Sequence, residues 1–145
     1  MKISTKGRYG LKAMMDIAIY TSYDNITLKS ISERQNISEK YLEQIFSALR
    51  KNGLVISKKG SQGGYALAKE SSKILVGDIL RVLEGDLDVV DWEDTMKNDF
   101  LEKCIYDNVW KELNISIEKI VNSITLEDLV GEYNKSSGIE YMYYI

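Results

Sequence analysis

The apolar positions of this chain change period several times, and the changes divide it into elements. Over residues 5–23, Tyr9, Ala13, Met14, Ile17, Ala18 and Thr21 recur at steps of three and four, the repeat of one helical face. Asp24 and Asn25 break the pattern. Thr27 then serves as an N-cap before Leu28 and Ile31, and a second, short helix closes near Asn36. Only Asn36 and Ile37 separate it from Ser38, which caps a third helix with Glu39 in its first turn; Asn52 and Gly53 supply an ending suited to left-handed dihedrals. Two helices joined by so short a turn describe a helix-turn-helix.

Further along, residues 54–58 and 65–68 read as short strands around Lys59-Gly60-Ser61-Gln62-Gly63-Gly64, a hairpin with a basic, glycine-bearing tip. Val76, Ile79, Val82 and Leu83 mark a fourth helix closing at Gly85. Residues 86–99 carry six acids against Lys97 alone and read as an exposed, irregular connection. Beyond it Leu101, Ile105, Val109, Leu113, Ile117, Ile120 and Ile124 keep a spacing of mostly four and predict one long amphipathic helix over residues 99–122, with Tyr106, Trp110 and Ile117 as a second stripe beside the first. An apolar arc this wide needs cover on more than one side, and a second copy of the same helix is the expected partner; burial within the chain is the alternative. Thr125 through Asp128 resembles a capping box opening a last helix over Leu126, Leu129 and Val130, and the apolar tail 139–145 is expected to dock on the protein. The predicted architecture is mainly α with a small β-hairpin: a winged helix-turn-helix over 1–85, an acidic connection over 86–98, and a helical dimerisation region with a docked tail over 99–145.

Charge adds a partner to this picture. The net charge of −3 hides 12 basic against 5 acidic residues in positions 1–69, and 7 against 17 in positions 70–145. A polyanion is the expected partner of the first half, solvated charged faces being the plainer alternative. On the third helix Leu42, Ile45, Phe46 and Leu49 form the buried stripe, so Ser38, Lys40, Gln44, Ser47 and Lys51, flanked by Tyr41 and Glu43, are offered outward with groups suited to base edges and phosphates. The hairpin adds Lys58, Lys59, Gly60, Ser61, Gln62, Gly63, Gly64 and Tyr65; the N-terminal segment adds Lys2, Lys6 and Arg8. Double-stranded DNA is the expected ligand.

Composition removes other classes. With no histidine and a single cysteine, Cys104, the chain lacks the commonest metal ligand and general base, and no nucleophile–base pair suggests an enzyme. Cys104 on an amphipathic helix reads as a small core residue, with a redox-sensitive thiol as the alternative. No run approaches the roughly 18 apolar residues of a membrane span, so a cytoplasmic location without a membrane partner is expected.

Several segments in order, Lys2-Ile3-Ser4-Thr5-Lys6-Gly7-Arg8-Tyr9-Gly10-Leu11, Tyr41-Leu42-Glu43-Gln44, the tip from Lys59-Gly60 through Gly63-Gly64-Tyr65, and Gly77-Asp78-Ile79, resemble the bacterial Rrf2 family of transcription regulators. Thr125-Leu126-Glu127-Asp128-Leu129 and Tyr141-Met142-Tyr143-Tyr144-Ile145 further resemble its cysteine-metabolism repressor branch, CymR. The resemblance implies a homodimer that crosses its long helices and reads an imperfect palindrome. It places base contacts at Glu43 and Gln44 with Tyr41 nearby, and a minor-groove arginine where this chain has Lys59. Members holding an iron–sulfur cluster use three cysteines between the fourth and the long helix; this chain has only Cys104, so no such cluster and no other cofactor is expected. The branch's precedent also implies cysteine synthase as a co-repressor. The rival reading is a protein-interaction module that uses the winged fold without specific DNA binding.

Overall fold

The computed structural model describes residues 2–21, 26–60 and 63–137. Three hydroxyls start its first helices. Ser4, Thr27 and Ser38 accept from the N–H groups of Gly7, Ser30 and Tyr41 and open α1 (Thr5–Tyr20), α2 (Leu28–Gln35) and α3 (Glu39–Lys51). Each cap satisfies a donor that helix geometry leaves without a partner. The turn between α2 and α3 rests on Asn36, at φ 55° the one non-glycine residue with positive φ among the described residues. Asparagine tolerates that region because its short side chain can hydrogen-bond locally. Ile37 follows directly and is buried, which anchors the turn on the core.

The first helix ends at Tyr20, before the expected limit of 23; residues 22–25 lie outside the described ones. The hairpin ladder is likewise shorter than its apolar runs: β1 (Val55–Ser57) pairs antiparallel with β2 (Tyr65–Leu67), Val55 opposite Leu67 and Ser57 opposite Tyr65. The flanks are still bonded, through Lys58 N–H to Gly64 O at 2.8 Å and Ala68 N–H to Leu54 O at 3.0 Å. Outside this two-stranded ladder, Tyr65 N–H donates to Ile26 O at 2.7 Å, tying the hairpin to the segment before α2.

The fourth helix, α4 (Val76–Glu84), is the wall shared by two apolar cores. Ile79 and Leu83 face a core built from α1, α2, α3 and the hairpin, with Phe46, Met14 and Leu42 fully buried at its centre. Val76 and Leu80 face a smaller one with Leu87 and Val121. Along the first contact α1 turns two glycines toward the end of α4: a methyl group on Gly7 would lie 2.1 Å from Glu84 Oε1, and one on Gly10 would lie 2.0 Å from Leu83 Cδ1. Glu84 uses that approach to accept from both the backbone N–H and the hydroxyl of Ser4.

After a 3₁₀ turn at Asp94–Asn98 the long helix begins as α5 (Phe100–Ile105), continues as a π-helical segment (Tyr106–Trp110) and ends as α6 (Lys111–Val121). Asp99 caps it by accepting from Leu101 and Glu102 N–H. The sequence predicts a uniform α-helix, and the π segment is a correction with a physical sense. Apolar residues four apart drift around an α-helix, which repeats every 3.6; a segment closed i to i+5 turns less per residue and brings the stripe back into line.

The acidic connection is less free than its charge suggests. Leu87 is buried in the second core, and the buried Asn114 of α6 accepts from Val89 N–H at 2.7 Å and donates to Val90 O at 3.1 Å. Two backbone groups and one leucine therefore tie it down, because a buried amide needs partners for both ends. The last helix, α7 (Leu126–Ser136), opens on the expected reciprocal cap between Thr125 and Asp128. It returns to the first half of the chain, with Leu126 fully buried in the first core. A two-bond bridge fixes its start against that of α4: Val76 N–H to Ile124 O at 2.9 Å and Leu126 N–H to Ile74 O at 2.8 Å. The expected docked tail lies outside the described residues, and no helix among those described is long and apolar enough to cross a membrane.

Candidate nucleic-acid interface

The surface of α3 follows from its buried stripe. Leu42, Ile45, Phe46 and Leu49 have no exposed area, so the 100° step leaves Lys40, Glu43, Gln44 and Lys51 exposed on the far side, with Ser47 and Tyr41 half-buried at its margins. Ser38 is exposed, and its hydroxyl accepts from Tyr41 N–H at 3.1 Å, which leaves its own proton for another acceptor. Arg50, exposed in the last turn, is missing from the sequence-based set although it stands seven residues after Glu43 and so on the same flank.

Two further elements meet this face. The Tyr9 ring stands edge-on to Tyr41 at 6.0 Å, joining the first turns of α1 to the start of α3, and the Arg8 guanidinium sits 6.0 Å over Tyr9. Arg8 is exposed and Lys6 half-buried in the same turns. From the other side the hairpin is fixed to α3 through Tyr65, whose ring packs on Phe46 at 4.8 Å; that ring, expected at the interface, is half-buried in packing. Toward the tip Lys58 and Lys59 are exposed, and Gly60, Gly63 and Gly64 take φ values of 151°, 60° and 138°. Side chains other than glycine rarely adopt such backbone, so the tip combines two ammonium groups with a bare, tightly curved chain. Ser61 and Gln62 lie outside the described residues.

Lys2 is placed differently. It lines a cavity that Glu84, Asp86 and Asp88 also line.

The long helix presents the second candidate surface. Phe100, Leu101 and Ile120 are 87%, 72% and 57% exposed, and Ile105, Val109, Leu113 and Ile115 are also exposed. An apolar row of this length is unusual on an isolated soluble chain and marks a contact surface. Ile117 does not belong to it: it packs on the second core within its own chain, because α6 leans on α4 there. Trp110 is half-buried, and Tyr106 beside it packs on Trp92 at 5.0 Å.

Cys104 is exposed on α5, which corrects its reading as a core residue; among the described residues α5 meets only the adjoining 3₁₀ and π-helical segments in any number, so its outward side has no cover. The Asn108 amide donates to Cys104 O at 2.7 Å. One cysteine and no histidine in the whole chain cannot supply the donors of a three-cysteine cluster.

Comparison with known proteins identifies relatives of this arrangement. The family model described as Rrf2, iron-dependent transcriptional regulator, matches residues 3–132. The HTH-type transcriptional regulator IscR of Serratia proteamaculans (strain 568) is 40% identical over 131 residues, 90% of this chain and 80% of the relative. Among solved structures, IscR of T. potens is similar at 46% identity and a TM-score of 0.74, over 94% of this chain and 90% of that one. CymR (YrzC), the global cysteine regulator of B. subtilis, is similar at 40% identity and a TM-score of 0.72, over 91% of this chain and 98% of that one.

Proposed function

The chain belongs to the Rrf2 family of DNA-binding transcriptional regulators, and on that premise we propose that it works as a cytoplasmic homodimer that reads an imperfect palindrome and represses genes of cysteine and sulfur metabolism. One observation carries the reading: α3, seated on a fully buried stripe, leaves Lys40, Glu43, Gln44 and Lys51 exposed beside a hairpin whose lysines stand on positive-φ glycines. Residues 1–85 are the reading head in this account. Two α3 helices enter successive major grooves about 34 Å apart, one helical turn, and the hairpins hold the flanking backbone or minor groove.

The division of labour follows from the donors. Ammonium groups on phosphates position the protein; Gln44, able to give and take one hydrogen bond each on an adenine edge, selects. Lys59 lacks the planar fork of arginine, so it attracts a narrow minor groove and discriminates less within it. The exposed row from Leu101 to Ile120 supplies the dimer contact, helix on helix.

The metabolic assignment is supported by similarity to the B. subtilis global cysteine regulator, and cysteine synthase is the partner this reading adds as co-repressor. The family description names iron; one cysteine and no histidine do not fit a three-cysteine cluster.

The test is fluorescence anisotropy on an operator and a scrambled duplex across a salt series. Lys59→Ala weakens both and lowers the salt slope by about 1; Gln44→Ala costs about 1–3 kcal/mol on the operator alone. Equal losses on both duplexes for Gln44→Ala would remove it from base reading.

A further inference from the structure

Four separate parts of the chain enclose a cavity of about 190 Å³: the segment before α1, the end of α4, the acidic connection and α6. Its floor is apolar, made by Leu80, Ile117 and Val121, and its rim is charged. The acidic connection contributes Asp86 and Asp88 to the lining and the segment before α1 contributes Lys2, and among the described residues none of the three has an ion-pair partner. The negative side is uncompensated: burial, and then the charges of Asp86, Asp91 and Glu118, hold the Asp88 carboxyl above its ordinary value. Asp86 is exposed, and one of its oxygens accepts from Asp88 N–H at 3.0 Å.

A small site with an apolar floor and a few convergent polar groups is the form a ligand pocket takes, and this volume is below the roughly 300–1,000 Å³ that suits drug-sized ligands. We propose that the cavity is a binding site for a free aliphatic α-amino acid, its ammonium on Asp86 and Asp88, its carboxylate on Lys2 and its side chain over Leu80, Ile117 and Val121. The site joins elements that DNA reading requires to be in register. Lys2 and Ile3 lead into Ser4, which Glu84 ties to α4, and α6 belongs to the helix that carries the exposed apolar row. Occupation therefore shifts the head relative to that helix and changes DNA affinity, a consequence that rests on the function proposed above.

Binding is measured first without DNA, on the full chain, by methyl NMR with L-valine and L-leucine as probes. The expected result is saturable shifts at Leu80, Ile117 and Val121. Asp86→Asn/Asp88→Asn and Lys2→Gln each weaken binding by about 10-fold or more, the cost of removing a charged hydrogen-bond partner, while the remaining methyl spectrum stays unchanged. Isobutylamine and isovalerate, each carrying half of the zwitterion, bind more weakly than either amino acid. Absence of shifts at 10 mM amino acid, binding unaffected by the acid and lysine variants, or shifts with magnesium chloride alone would each overturn the site. Bound amino acid that leaves operator affinity unchanged would overturn its effector role. Failure to bind any DNA, with the methyl shifts intact, would instead strike the reading of the protein as a DNA regulator.

Discussion

At Gly10 two opposing residue-level effects can be weighed. Alanine is the better helix former by about 1 kcal/mol, yet its methyl would stand 2.0 Å from Leu83 Cδ1 and 3.5 Å from Ile45 Cγ2, with both neighbours buried in the first core. Overpacking of this kind costs about 1–3 kcal/mol, so Gly10→Ala lowers stability in urea denaturation despite its propensity. The buried Asp16 gives a second case. It receives two hydrogen bonds from Arg34, at 2.9 and 2.7 Å, and one from Gln35 at 2.8 Å, pinning α1 to the end of α2. Arg34→Met leaves a buried carboxylate with only Gln35 as donor, and a loss of about 1–3 kcal/mol is expected from the same measurement. Both features differ from the helix caps in how far a sequence can show them. The caps at Thr27, Ser38 and Thr125 were legible because a cap is chemistry within three residues. Asp16 and Gly10 were not, since their partners lie 18 and 73 positions away and nothing local marks them.

Among the elements, apolar spacing shows the long helix to within about a residue at each end but not its π segment, which leaves no trace in residue type. Its stripe was also read too uniformly: periodicity names a face, whereas contact with α4 decides that Ile117 is used within the chain and Leu113 is not. Leu113→Lys accordingly turns a species of twice 16.6 kDa into one of 16.6 kDa in sedimentation at micromolar concentration, with the helical signal retained. The same helix is tied to α4 through Arg81, which bonds Glu118 at 2.7 Å and also reaches Asn122. The hydrogen bond from Arg81, with its charge and Asn122, outweighs desolvation and holds the Glu118 carboxyl below its ordinary 4.5. A depressed carboxyl contributes stability above its unfolded value and loses it as pH falls through the folded one. The stability difference between the wild type and Arg81→Met is therefore full above about pH 5 and shrinks in acid. With Glu118 42% exposed it stays below about 1 kcal/mol.

For the whole molecule, the division of charge along the sequence was the most informative early sign, and the structure gives it form. Basic side chains gather on α3, the first turns of α1 and the hairpin, while the acids of the connection lie beside α4 and α6. Of the residues expected on the DNA side, Lys2 departs from this pattern: it lines the cavity that Glu84, Asp86 and Asp88 also line, a placement that depends on the fold and that charge counting alone does not show. In the proposed function two such heads, joined through their long helices, embrace one duplex. Hydroxyl-radical footprinting on a genomic fragment selected by the purified protein tests this arrangement. Two protected patches related by a dyad and about 34 Å apart are predicted; a single patch, or no protection at low ionic strength with and without cysteine synthase, would contradict it.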